Sequence, residues 1–539
     1  FDCPLCFFVS KKMISKFKKL LPQAVNTAKT YRCFSSSIGS KDLSQQNKPT
    51  GVAKSERLQF SKHRLTDFGD LPTGEIPEAL KFDRPTEFTT LNNGIRVATE
   101  NWPGKLATIS VFIKCGSRQE NVENSGVAHF LEHLHFKGTS NRSRTQLELD
   151  VENMGGQLNA YTSRENTSYT MTVFKENTGK AVEILGDMLT NSNYDANQVE
   201  AERDTIYREC IECQKDQMET TIESGHYTSY REHMMGQPIL GIRENIGTIS
   251  RDQIVEYHAA NYVGNNIVVV GAGDIDHNQL VELVEQHFGK LPQNAPNGLE
   301  RPNAEKPRFS PSILFMRDDE MANANLGVFF EAPGWTHPDY YSFLLYQRML
   351  GEYTQDKYTG QHLNHPSRQY NTMHTFLGQL PDLTIHKCIY APYSDTGLLG
   401  NYFHGNEVHA HQMLFMSQMV LSNYALHLDQ AEVFRAKNHL YNELLQHETG
   451  NDIAQSLGNQ LLYLNRKVPR SEIASRIANV EREHLVRTAR DWFFDRDISV
   501  VAWGAVHHLT LFNVYNRGIR RSTLGWYGDS YYHATSSSS

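Results

Sequence analysis

The chain has 539 residues, with 53 Lys and Arg against 61 Asp and Glu, and a formal net charge of −8. At about 100–200 residues per domain this is two to four domains, and the ordinary mixed composition excludes a disordered, collagen-like or coiled-coil chain. The acidic balance argues against a general nucleic-acid binder, no apolar run is long enough to span a bilayer as a helix, and seven sparse cysteines make no disulfide scaffold.

The charge is unevenly placed. Residues 1–34 hold seven bases and one acid, which leaves −14 on residues 35–539. From Met13 the segment is basic, Ser-rich and acid-free, and Ile14, Phe17, Leu20 and Leu21 can line one face of a helix limited by Pro22. This composition predicts a mitochondrial presequence-like segment over 1–34, against the alternative of a disordered basic tail. Cys3-x-x-Cys6 within it is a weak signal. Residues 35–84 read as an N-terminal extension that is mostly linker.

The next region opens with strands at 94–100 and 106–117, rich in β-branched residues and ended by turn residues. Helical sequence follows, then strands again over 158–174. Five prolines between Pro292 and Pro311 mark a linker, placed at 291–311. It separates a domain at 85–290 from one at 312–520, with a C-terminal tail at 521–539. A shift of 231 positions superposes residues 248–277 on 479–508 without gaps. Under it Ile254 meets Leu485, Tyr262 meets Phe493, Val269 meets Val500 and Gly273 meets Gly504. A tandem duplication is the preferred reading over two generic helix–strand units. Each copy predicts an α+β fold, an antiparallel sheet with helices on one face.

The segment 126–138 carries the chemistry. His129, Glu132 and His133 form H-x-x-E-H on a predicted helix that Asn124 or Ser125 could cap and Gly138 could end. Residues four apart share a helical face, so both imidazoles can bind one ion, while Glu132 can act as base without being a ligand. The alternative is a His pair facing a core or an interface. A long helix is predicted from near Asp195. On it Glu202 and Glu209 lie seven apart, within about 20° of one another, bracketing Ile206. Glu209 is the candidate third ligand and Glu202 a second carboxylate that orients a ligand or assists proton transfer; a solvated charged face is the alternative. If that helix continues, Glu219 and Glu223 fall within about 80° and 40° of Glu209. Cys210-x-x-Cys213 reads as helix packing, Gly271-x-Gly273 as a turn, and His135 as capping or lining the site.

Four segments in order, residues 129–139, 155–167, 202–209 and 393–400, resemble the pitrilysin-type (inverzincin) metallopeptidase family, and the likeness runs over roughly residues 80–520. The branch most alike is that of the β subunits of mitochondrial processing peptidases, with their counterparts, the core 1 subunits of respiratory complex III. The resemblance implies two homologous α/β domains forming a clamshell, and one Zn2+ per chain held by His129, His133 and Glu209. Glu132 would be the base and Glu202 the assisting carboxylate. It further implies that Asn159 and Ala160 meet the substrate backbone, that Phe136 receives the residue after the cut, and that Glu219 and Glu223 bind the arginine before it. The family usually has Asp at the last of these. The second half has no H-x-x-E-H; at the repeat register those positions fall on Gly360, Leu363 and Asn364. That half is therefore expected to act as a lid or scaffold. The implied activity is cleavage of presequences from imported mitochondrial proteins. The implied partner is an α-type processing peptidase or core 2 subunit, together with presequence peptides and other complex III subunits, at the matrix face of the inner membrane. No nucleic acid and no transmembrane helix are expected. The alternative is a structural core subunit with little peptidase activity.

Overall fold

Alternating and continuous runs of β-branched residues build two six-stranded sheets. Strands β1 (Thr86–Thr90), β2 (Arg96–Asn101), β3 (Leu106–Ile113), β4 (Gln157–Thr162), β5 (Thr167–Phe174) and β6 (Ile267–Gly273) lie in the order β1-β2-β6-β3-β5-β4. Strands β7 (Ile313–Arg317), β8 (Ala324–Ala332), β9 (Glu352–Thr354), β10 (Leu383–Pro392), β11 (Gly397–Gly405) and β12 (Ser499–Gly504) lie in the order β7-β12-β8-β11-β10-β9. Every pair is antiparallel except β2–β6 and β7–β12. This computed structural model describes residues 76–299, 301–354, 372–377, 380, 383–446, 449–506 and 509. The segment 1–34 with Cys3 and Cys6, most of the extension 35–84, and the tail 521–539 lie outside the described residues. Among the described residues no helix is long and apolar enough to cross a membrane.

The duplication is visible in the topology. β2, β6, β3, β5 and β4 answer in order and direction to β7, β12, β8, β11 and β10, leaving β1 and β9 outside the repeat. The helices Arg251–Asn261 and Arg482–Trp492 begin and end one 231-residue step apart. Upstream the register shortens, and β3 answers to β8. Gly360, Leu363 and Asn364, where the 231-residue step would carry H-x-x-E-H, lie outside the described residues. By topology the counterpart of the helix Val127–His135 is instead Tyr340–Leu350, which carries no His and no carboxylate.

The central strands of each sheet are buried on both faces, which is why β3 and β6 read as nearly continuous apolar runs. On one face of the first sheet Val97, Ile109, Val111 and Val269 meet the helices of their own half. On the other, Phe112, Val268, Val270 and Ala272 meet Ile453, Leu457 and Leu461. Those last three belong to the helix Gly450–Leu464 of the second half. The exchange is reciprocal: the helix Gln217–Ser229 of the first half lies on β8, β11 and β12. Two glycines allow the close approach. A Cβ on Gly458 would fall 2.2 Å from the Phe112 ring, and one on Gly225 would fall 2.2 Å from the Phe329 ring. The helices of each half gather on one sheet face, as expected; the helix on the opposite face comes from the other half.

Candidate metal centre

The helix Val127–His135 carries three of the predicted residues, and its first turn is not capped as expected. Asn124 Oδ1 accepts from Asn121 N, and Ser125 Oγ accepts from Ile242 N. The cap is Glu120, whose carboxylate accepts from Gly126 N and Ala128 N, both at 2.8 Å. A side-chain oxygen at a helix N-terminus satisfies donors that have no partner within the helix. Burial pushes the Glu120 pKa up to about 8, against the pull of the two N–H groups. Gly126 has φ +101, and a Cβ there would sit 2.9 Å from Leu240 O, so the turn into this helix requires glycine.

The two imidazoles share one face, with ring centroids 4.7 Å apart. The second helix, Ala196–Cys213, starts at Asp195, whose side chain accepts from Asn197 N and Gln198 N. Ile206 anchors it in the core and leaves Glu202 and Glu209 on the side facing His133. Glu209 Oε2 lies 3.1 Å from His133 Nε2 and 3.7 Å from His129 Nε2. Donors about 2.1 Å from a tetrahedral ion lie about 3.4 Å from one another, so the set fits a metal. One donor atom from each of His129, His133 and Glu209 lies within 4.8 Å of the others, and among the described residues no other such group of His, Cys, Asp and Glu occurs.

Around this set stand residues of two kinds. Glu202 Oε2 lies 3.2 Å from His133 Nδ1, and Glu202 Oε1 pairs with Lys137 Nζ at 2.6 Å. Burial opposes a charge on His133, but Glu202 and Glu209 outweigh it and raise its pKa to about 9. The Glu209 carboxyl is held far below its ordinary range: His129 and His133 overcome the opposing effect of burial. Glu132, half-buried beside them, accepts a short hydrogen bond from Thr162 Oγ1 at the end of β4. Lys137, Glu120 and Thr162 were not singled out in the sequence. Lys137 sits one turn beyond His133, a spacing that could have marked it.

The remaining candidates are placed as follows. Asn159 and Ala160 lie on β4, opposite Thr170 and Tyr169 of β5, and the outer edge of β4 has no strand partner among the described residues. Phe136 closes the His-bearing helix and packs partly against the core. His135 departs from expectation. It is fully buried, shares hydrogen bonds with Tyr169 and Tyr194, and lies against His258 and Tyr262 rather than lining the site. The long helix does not continue either: it ends at Cys213, and Asp216 caps a new one, Gln217–Ser229. Glu219 and Glu223 stand on this second helix. Glu223 accepts from Arg164 Nη2 at 2.8 Å and from Ile239 N at 3.3 Å. Partial burial and the neighbouring Glu223 raise the pKa of Glu219. Burial raises the pKa of Tyr161 on β4, and the charges of Glu219, Glu223 and Glu132 add to the shift against that of Arg164.

The chain is similar to known proteins along most of its length. The "probable mitochondrial-processing peptidase subunit beta" of Schizosaccharomyces pombe is 38% identical over 433 residues, covering 79% of this chain and 93% of the relative. The corresponding β subunit of Rattus norvegicus is 36% identical over 470 residues, covering 86% and 93%. A chain of complex III2 from Candida albicans, bound to Inz-5, has the same fold with a TM-score of 0.70 at 18% identity, over 80% of this chain and 99% of that one. A protease from Helicobacter pylori matches with a TM-score of 0.68 at 19% identity, over 78% and 100%. Residues 96–243 match the insulinase domain of peptidase family M16 and residues 248–440 match the family's inactive domain, so the chain belongs to the M16 metallopeptidases.

Proposed function

We propose that this chain is the zinc-bearing subunit of an endopeptidase that removes N-terminal presequences from imported mitochondrial proteins. The observation that carries the reading is the convergence of His129, His133 and Glu209, with Glu132 on the same helix bonded to the end of β4, a strand whose outer edge has no strand partner among the described residues. In this reading the zinc-bearing domain spans 85–290, the linker 291–311 and the metal-free copy 312–520. His129, His133 and Glu209 would hold one zinc ion, which supplies Lewis-acid polarisation of a carbonyl and a lowered water pKa.

The chain's own residues do the rest. Glu132 takes a proton from water and hands it to the leaving amine. Thr162 fixes one of its oxygens and leaves the other to turn toward substrate. Glu202 holds His133 in the Nδ1–H tautomer, so that Nε2 keeps its lone pair, and Lys137 balances the Glu202 charge. The free N–H and C=O groups of β4 around Asn159 and Ala160 accept an extended peptide as an added strand. The second sheet supports this use of the edge, because β10, the counterpart of β4, already carries the chain's own β9 there. Phe136 offers an apolar contact at the helix end. Glu219 suits a guanidinium on the peptide, while Glu223 already holds Arg164 and acts beside it.

The partner is an α-type processing peptidase subunit, and the location is the mitochondrial matrix, at the inner membrane where the chain is part of complex III. The intact donor set favours catalysis over a purely structural role, which has no use for it. In the test, the purified complex with its α partner is mixed with a presequence peptide. One zinc per chain and cleavage are expected. Glu132→Gln should lose cleavage by about a thousandfold or more while zinc stays bound. Full activity of that variant would overturn the mechanism. Absence of this chain from the fraction holding cytochromes b and c1 would remove the complex III assignment.

A further inference from the structure

We infer that the second half positions the catalytic base of the first, through the turn Ser163–Asn166 that follows β4. The inference rests on the reading of Glu132 as the base. Thr162, which donates to Glu132, is the last residue of β4 and the last before that turn. Each residue of the turn after Ser163 is then held from outside its own sheet. Arg164 donates to Glu223 and to Met235 O. Asn166 Nδ2 donates to Asn459 Oδ1 at 2.9 Å and to Tyr463 Oη at 3.2 Å, both on the exchanged helix Gly450–Leu464.

Glu165 is the centre of the arrangement. Its Oε2 accepts from Ser394 N at 2.8 Å, and its Oε1 accepts from Ser394 Oγ and from Arg118 Nη1, each at 2.6 Å. Arg118 Nη1 also reaches Ser394 Oγ at 3.1 Å, and its two terminal nitrogens bind Asp395 at 2.9 and 2.7 Å. Its remaining donors go to Asn303 O and Glu305 O in the linker. Arg118 and Glu165 are 4% and 5% exposed, so their charges are satisfied by these partners rather than by water.

Ser394 and Asp395 lie in the turn between β10 and β11, which answers to the turn Ser163–Asn166 in the repeat. The two turns therefore meet head to head at the join between the halves. A continuous path of hydrogen bonds and main chain runs from Ser394 to Glu165, along the turn to Thr162, and on to Glu132. Ser394 is in this sense a positioning residue. Its hydroxyl donates to Glu165 and accepts from Arg118, and the half without metal ligands contributes to the reaction by holding the strand end that aims the base. Catalytic groups displaced by about 1 Å can lose on the order of a hundredfold in rate, so a small relaxation of this turn is readable in kcat.

The test uses the full chain in its complex with the α partner, zinc bound, with a presequence peptide as substrate. Four variants are compared with the native protein: Ser394→Ala, Ser394→Thr, Thr162→Val, and the double variant Ser394→Ala/Thr162→Val. Ser394→Ala should lower kcat about tenfold with KM within about twofold, zinc content full and the unfolding midpoint lowered only slightly, by an amount that Ser394→Thr recovers. Ser394→Thr, which keeps the hydroxyl, should restore most of the rate. Thr162→Val should lower kcat at least as much, and adding Ser394→Ala should lower it no further, because the serine acts through the threonine. Hydrogen exchange over residues 157–166 should rise about tenfold in Ser394→Ala, a readout that needs no turnover. Losses that multiply in the double variant, or unchanged exchange over 157–166, would overturn the inference. If the native complex does not cleave at all, the assignment of Glu132 falls, and the exchange measurement still decides whether Ser394 holds the turn.

Discussion

Gly225→Ala separates two opposed effects on one residue. In the middle of a helix, alanine is favoured over glycine by about 1 kcal/mol. Here the new methyl would lie 2.2, 2.4 and 2.5 Å from three atoms of the Phe329 ring, against about 3.5–4.0 Å for an unstrained carbon contact. The ring has little room to retreat. Phe329 is 2% exposed, and it also lies within 2.4 Å of a Cβ position on Gly327 and 2.7 Å of one on Gly400. Overpacking of this kind costs about 1–3 kcal/mol, and a ring enclosed on three sides places it at the upper end. The net expectation is a loss of about 2 kcal/mol, read as a lower midpoint in urea unfolding with the slope unchanged. Phe329→Leu, neutral to destabilising alone, should recover most of that loss in the double variant. The same pair of measurements on Gly458→Ala with Phe112→Leu should give the same sign, because the contact is repeated on the first sheet. Stabilisation by Gly225→Ala would refute the close packing of the exchanged helix.

Glu202→Gln should leave the fold in place but weaken zinc binding about 10- to 100-fold, measured by competition with a chelator; unchanged affinity would show that the Glu202–His133 contact does not orient the ligand. Glu120 gives a pH signature. Its pKa is about 4.5 unfolded and about 8 folded, so the folded state keeps a proton that the unfolded state has released. Its contribution is full below pH 4.5 and is lost as pH rises to about 8, at up to about 1.4 kcal/mol per pH unit. The stability of Glu120→Gln should therefore fall less from pH 5 to 8 than that of the native chain, and parallel curves would count against the buried carboxyl. Glu219→Gln should raise KM for a peptide with arginine before the cut about tenfold, with kcat little changed; an equal effect on a peptide lacking that arginine would separate Glu219 from recognition.

The site was legible where chemistry and helical period coincide. H-x-x-E-H fixes one face over one turn, and Glu202 and Glu209 return to one face after two turns. The first sheet was legible from β-branched runs, and the second through the gapless repeat of 248–277 on 479–508, which reaches only its strand β12. What escaped depends on contacts distant in sequence. The helix cap came from Glu120 rather than from Asn124 or Ser125, because the chain loops back before the helix starts. The break after Cys213 did have a local sign: Asp216 followed three residues later by Glu219 is a helix-start pattern. His135 is about 120° around the helix from His129 and about 160° from His133, which already turned it away from the metal. The exchange of helices had only Gly225 and Gly458 as local marks, and a glycine inside a helix does not say which sheet it must approach.

The second sheet partly covers with Glu352–Thr354 the edge that, among the described residues, the first sheet leaves without a partner. An open strand edge does not distinguish a client peptide from a second copy of its own protein. β4 carries no charged residue and exposes Tyr161, so it lacks the lysines and prolines that usually discourage edge-to-edge association. Duplication would have doubled that hazard. At the corresponding edge the second sheet presents only the three-residue β9, so among the described residues the longer exposed edge at this end of a sheet is that of β4 alone.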